Sequence, residues 1–122
     1  MNFNGNVLFK DSVLKDNALV DIKVSTGNVE FSNMEFRDNA NMTLKILNKG
    51  NVSFDSISVN GTQSTDKPKL DVSTVDGDIV SGDVSANAQS EILLTTKKGN
   101  IRTGNVSASE QSKILLTTKK GN

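Results

Sequence analysis

Three carboxylates crowd one short stretch of the chain: Asp76 and Asp78 flank Gly77, and Asp83 follows five residues after Asp78. Paired carboxylates do the work of glycoside hydrolysis, one protonating the leaving oxygen while the other acts as base or nucleophile. The same side chains are the candidates for a Ca²⁺ site, which takes hard oxygen ligands. Against both readings, Asp78 stands where four other repeats carry Asn, which suits a turn better than a unique reactive group, and the Gly-rich nonapeptide calcium repeat is absent. With no His and no Cys, the chain lacks the usual proton shuttle near neutral pH, a thiol nucleophile, a zinc-thiolate site and a disulfide scaffold. The expectation is a protein that is not an enzyme and carries no cofactor.

Cations form the second candidate. Lys97 and Lys98 recur as Lys119 and Lys120, with Lys49 and Arg102 as possible extensions. Stacked in register they make a basic ridge able to meet sulfated glycans or anionic surfaces. The alternative is a solvated turn whose charges are offset by Glu91, Glu110 and Asp76. Across the whole chain, 14 Lys+Arg balance 14 Asp+Glu and aromatics make up 4%. That balance excludes an electrostatically driven nucleic-acid binder, which needs surplus cations to displace phosphate counterions.

Asn-x-Ser/Thr sequons mark possible glycosylation at Asn60, Asn41 and Asn105, with Asn51 as a further sequon expected to be occupied in a turn. Asn60 lies in the polar stretch NGTQSTDKPK, expected to protrude as a loop. Leu93, Leu115 and Leu19 fall at outward phase, either as a stripe for self-association or as packing under a loop. No apolar run approaches the ~20 residues that span a bilayer, and the opening MNFNGNVLFK lacks the charged and apolar regions of a secretory signal.

The elements that must carry these groups follow from internal repetition. GDIVSGDVSANAQSEILLTTKK (Gly77 to Lys98) is followed directly by GNIRTGNVSASEQSKILLTTKK (Gly99 to Lys120), two blocks of 22 residues. Upstream blocks start at Gly5, Gly27 and Gly50 and hold 22, 23 and 27 residues, and Gly121-Asn122 opens a further copy. Each block opens with Gly followed by Asn or Asp, a pair that marks a sharp bend. Counted from that Gly, offsets two and four hold Val7/Phe9, Val29/Phe31, Val52/Phe54, Ile79/Ser81 and Ile101/Thr103; offsets seven and nine hold Ser12/Leu14, Met34/Phe36, Ile57/Val59, Val84/Ala86 and Val106/Ala108. A late set runs Val20/Ile22/Val24, Met42/Leu44/Ile46, Leu70/Val72/Thr74, Ile92/Leu94/Thr96 and Ile114/Leu116/Thr118, aligned only if the third block carries about five extra residues before Leu70.

Alternation over short segments between Gly, Asn, Asp and Ser indicates strands with one buried face. A meander of hairpins does not explain the return of one inward pattern every 22 residues. An all-β parallel β-helix, or β-solenoid, does: about five coils of three short strands, stacked at about 4.8 Å into a rod of roughly 24 Å. Residues 1–122 read as one such segment, expected to be a fragment of a longer repeat protein without convincing caps. The interior is expected to narrow toward the C-terminus, as Phe9, Phe31 and Phe54 give way to Ser81 and Thr103. The Asn/Asp positions are expected to bond along the stack, with ligand contact as the alternative.

The stretch GNVEFSNMEFRDNANMTLKILNKGNVSFDSISVNG resembles the repeats of filamentous haemagglutinin and, more narrowly, the shaft of high-molecular-weight adhesins exported by two-partner secretion. VDGDIVSGDVS and KKGNIRTGNVS likewise resemble adhesins built of short strands with Gly-Asp-Ile motifs. The resemblance implies a right-handed parallel β-helix within a secreted or surface-displayed fibre. It also implies attachment to host-cell glycans or proteins, with an outer-membrane transporter as secretion partner. The alternative is a polysaccharide-binding or polysaccharide-degrading β-helix such as a tail-spike fragment. A third reading is a filament assembled end to end through open coils.

Overall fold

The computed structural model describes residues 2–61, 67–109 and 112–119. The described residues are strands and turns without helix, and no helix long and apolar enough to cross a membrane occurs among them. Residues Asn2–Phe3 form β1. The first coil contributes β2 (Val7–Leu14) and β3 (Leu19–Thr26), and the second β4 (Val29–Arg37) and β5 (Asn41–Lys49). The third coil contributes β6 (Val52–Phe54), β7 (Ile57–Asn60) and β8 (Lys69–Asp76). The fourth contributes β9 (Ile79–Ser81), β10 (Val84–Asn87) and β11 (Glu91–Lys98), and the fifth β12 (Ile101–Arg102), β13 (Val106–Ala108) and β14 (Lys113–Thr118).

Every pairing between strands is parallel and joins equivalent segments of adjacent coils, the definition of a β-solenoid. One sheet runs β1-β3-β5-β8-β11-β14, and the other collects the first and second strands of all five coils. These are one sheet because β2 and β4 run unbroken through the second corner, carrying Asp11 and Asn33 at φ of 51° and 56°. Asp and Asn tolerate this left-handed conformation better than other side chains. In the last three coils the strand breaks there instead.

The register is the one expected from the offsets. Val7, Val29, Val52, Ile79 and Ile101 form one column; Val20, Met42, Leu70, Ile92 and Ile114 form another. Because side chains alternate along a strand, these columns turn inward together, and the middle coils bury them at about 1% exposure or less. Coils of unequal length still stack in register. In the third, Asn60 pairs with Asn87 and Lys69 with Glu91, so the added length lies wholly between Asn60 and Lys69. In the second, Val24 pairs with Ile46 but Thr26 with Lys49, so a bulge at Leu47-Asn48 absorbs the one extra residue.

The core changes composition along its axis. Phe9, Phe31 and Phe54 stack face to face, with centroids 5.0 and 4.5 Å apart and planes within 6°. The next residue in that column is Ser81, a side chain that is buried and whose Oγ has no hydrogen-bond partner among the described residues. Val24 and Ile46 likewise give way to Thr74 and Thr96. Their hydroxyls donate to the Gly50 and Gly77 carbonyls, each at 2.9 Å, so those buried polar atoms are satisfied.

Candidate functional site

The candidate chemistry gathers at the Gly-Asn/Asp corner, whose geometry follows from how the coils meet. A Cβ added to Gly50, Gly77 or Gly99 would lie 1.8 to 1.9 Å from the carbonyl oxygen of the glycine one coil earlier. The column is therefore glycine because successive backbones touch. Positive φ, the reason expected from the sequence, holds at Gly5, Gly27 and Gly77 but not at every corner.

The residue after each Gly links the coils. The Oδ1 atoms of Asn6, Asn28, Asn51 and Asp78 accept the backbone N–H of the equivalent residue in the next coil, at 2.8 to 2.9 Å. Only an oxygen acceptor is needed, so Asp replaces Asn without loss of the bond. The link runs from side chain to backbone, a different form from the amide-to-amide ladder that the residue types suggest. At the second corner Asp83 does the same, its Oδ1 accepting from Asn105 N at 2.9 Å. Two of the three clustered carboxylates are thus built into the stack.

The third, Asp76, lies in the outward column Thr26, Lys49, Asp76, Lys98. Its carboxylate stands between two lysine positions of opposite charge. An open groove of about 380 Å³ runs along this corner, with Lys49, Asp76 and Lys98 on one wall and Asn28, Asn51 and Asp78 on the other. Among the described residues no group of three or more acidic side chains is placed to hold a metal ion.

The basic candidates divide in two. Lys97 and Lys98 are exposed at the end of β11, and Lys119 is exposed, with its N–H donating to the Thr96 carbonyl at 3.2 Å. Lys120 and Glu110 lie outside the described residues. Since Lys98 continues a column of alternating sign, its field is partly compensated by Asp76.

The sequon asparagines occupy three different settings. Asn60 is half-buried at the end of β7, and its Nδ2 donates to Ser58 Oγ at 3.0 Å; Thr62 and the following loop residues 63–66 lie outside the described residues. Asn41 is half-buried as well, with Nδ2 donating to the Asn39 carbonyl at 3.1 Å. Asn105 is exposed at a corner. Of the leucines, Leu19 and Leu115 are 77% and 45% exposed, while Leu93 is half-buried in register between Asp71 and Leu115.

One feature had no signal in the repeat pattern. Arg37 and Glu35, two residues apart on β4, form a two-pronged pair at 2.7 and 3.0 Å. Hydrogen bonding to the guanidinium holds the Glu35 carboxyl below its ordinary range. Comparison of the chain with family models, with curated proteins and with solved structures finds no match.

Proposed function

We propose that the chain is a shaft segment of a secreted or surface-displayed bacterial adhesin, extending and presenting regions that attach to host-cell glycans or proteins. The observation that carries this reading is the unbroken in-register stack: every coil adds one layer of the same columns, and its corner carboxylates and amides serve the stacking. Such a scaffold sets distance and orientation. An outer-membrane transporter is the secretion partner this reading requires.

The reading is tested in bacteria producing the protein. Antibody against residues 77–119 is expected to label intact cells, and protease applied outside is expected to remove the label. Deleting the five coils is expected to weaken attachment to host cells. Retention of the protein inside intact cells would overturn the proposal, as would release of new reducing ends from polysaccharide by the purified chain.

A further inference from the structure

The groove at the first corner crosses inner layers of the stack, and all of its lining residues are described. Its walls hold polar groups that the stacking leaves unused. On one wall Asn28 and Asn51 each commit Oδ1 to the backbone N–H of the next coil. That bond fixes the amide plane and leaves each Nδ2 as a donor with no other partner among the described residues. Asp78 commits Oδ1 to Asn100 and keeps Oδ2 as an acceptor. On the other wall Lys49, Asp76 and Lys98 are register neighbours in adjacent coils, yet no ion pair closes between the carboxylate and either ammonium. The groove therefore sets donors and acceptors in rows one coil apart, with Lys49 and Lys98 balancing Asp76 and Asp78.

This arrangement selects by chemistry. An anion that reached both lysines would also meet Asp76 between them, and a cation on Asp76 would meet a lysine on either side, so like charge discriminates against both. An extended peptide advances about 3.3 Å per residue, out of step with layers about 4.8 Å apart. A chain of 1,4-linked pyranoses advances by nearly one layer per ring. Its edges carry hydroxyls, and a hydroxyl both donates and accepts. Each can accept from Lys49 or Asn51 while donating to Asp76 or Asp78.

We propose that this groove binds a neutral 1,4-linked oligosaccharide laid along the solenoid axis, one sugar per coil. Asn28, Asn51, Lys49 and Lys98 donate to its hydroxyls, and Asp76 and Asp78 accept from them. The site adds a contact made by the shaft itself to the presenting role proposed above, and its binding is observable on the isolated chain.

The test is titration calorimetry of the purified full chain with cellohexaose, with a heparin hexasaccharide as the anionic comparison. Cellohexaose is expected to bind with a dissociation constant below about 1 mM, little changed by salt because the site carries no net charge. Asp78→Asn keeps the link to Asn100, as Asn does at the equivalent place in other coils, but replaces the spare acceptor by a donor. Affinity is expected to fall about tenfold, the loss of one hydrogen bond to a charged group. Asp76→Lys turns the wall into three cations, and is expected to weaken cellohexaose at least as much and to bring in the heparin fragment. Arg37→Ala, on the outer face of β4, is expected to leave binding unchanged. No heat from cellohexaose at about 10 mM would overturn the proposal. So would parental affinity in both Asp78→Asn and Asp76→Lys, or tighter binding of the heparin fragment by the parent chain, which would move the ligand to the lysines alone. Because every arm uses the isolated chain, failure here is separate from failure of the surface labelling that tests the adhesin reading.

Discussion

In the first two coils the interior is made of rings and branched chains, Phe9 on Phe31 and Val24 on Ile46; in the last two the same positions hold Ser81, Thr103, Thr96 and Thr118. The third coil is the transition, with Phe54 in one column and Thr74 in another. Both ends follow the same backbone path, so interior volume and polarity are negotiable between coils. Much less negotiable is the corner, where each glycine touches the glycine before it and each Asn or Asp oxygen takes the next backbone N–H. The core supplies affinity between layers, and the corner fixes their register.

The largest expected effect breaks what the two ends share. Gly50→Ala would place a methyl group against the Gly27 carbonyl, with an added Cβ only 1.8 Å from that oxygen. A destabilisation of at least about 3 kcal/mol is expected, because backbone on both sides must move. Denaturant unfolding followed by far-ultraviolet circular dichroism measures it. A loss under about 1 kcal/mol would show that the corner can yield.

Next comes the apolar half. Phe31→Ala removes the middle ring of three and leaves a cavity between Phe9 and Phe54, at an expected cost of about 3–5 kcal/mol. In the polar half the effects are smaller, and the two positions differ in sign. Thr96→Val keeps the shape but leaves the Gly77 carbonyl without its hydroxyl donor, costing about 1 kcal/mol. Ser81→Ala removes a buried hydroxyl that has no partner among the described residues, and is expected to be neutral or to stabilise by about 1 kcal/mol. If Ser81→Ala instead destabilised as much as Thr96→Val, the hydroxyl of Ser81 would have to be bonded, and the contrast between Thr74 and Thr96 on one side and this serine on the other would disappear.

Smallest of all is the pair on the outer face of β4. Because Arg37 holds the Glu35 carboxyl low, the pair contributes above the ordinary Glu range and is lost as pH falls through the folded value. Solvent screens an exposed pair of this kind, so its contribution is small. Glu35→Gln is therefore expected to lower the unfolding midpoint slightly at neutral pH and to match the parent in acid, a difference read by paired thermal melts.

Much of this architecture was legible in the residues. The offsets of Val29, Met34 and Met42 fixed three inward columns, and the misalignment of Leu70 located the added length of the third coil. Those inferences rest on side-chain alternation, which a strand expresses one residue at a time. Contacts between backbones were not legible. Nothing in the spacing says that the corner glycines exclude a methyl group, that Asn51 links to the next coil through its oxygen alone, or that β1 lies on the edge of β3. The roles of Thr74 and Thr96 were hidden for a related reason: as members of an apolar column they read as tapering, and only the nearby glycine carbonyl shows what the hydroxyl does. At the corner, Asp78 and Asp83 read equally as reactive groups or as turn residues until their hydrogen bonds to Asn100 and Asn105 were seen.

The bulge at Leu47-Asn48 bears on how a gene for such a chain can change. A codon gained or lost at that point shifts a few exposed atoms, since the strands on either side keep their partners. A codon gained between Val52 and Ser53 would turn one flank of the strand inside out, sending Phe54 into water and Ser53 into the interior. Tolerance to such events is therefore confined to the places where the path already bends, and successive copies can drift in length there while their interiors stay interchangeable.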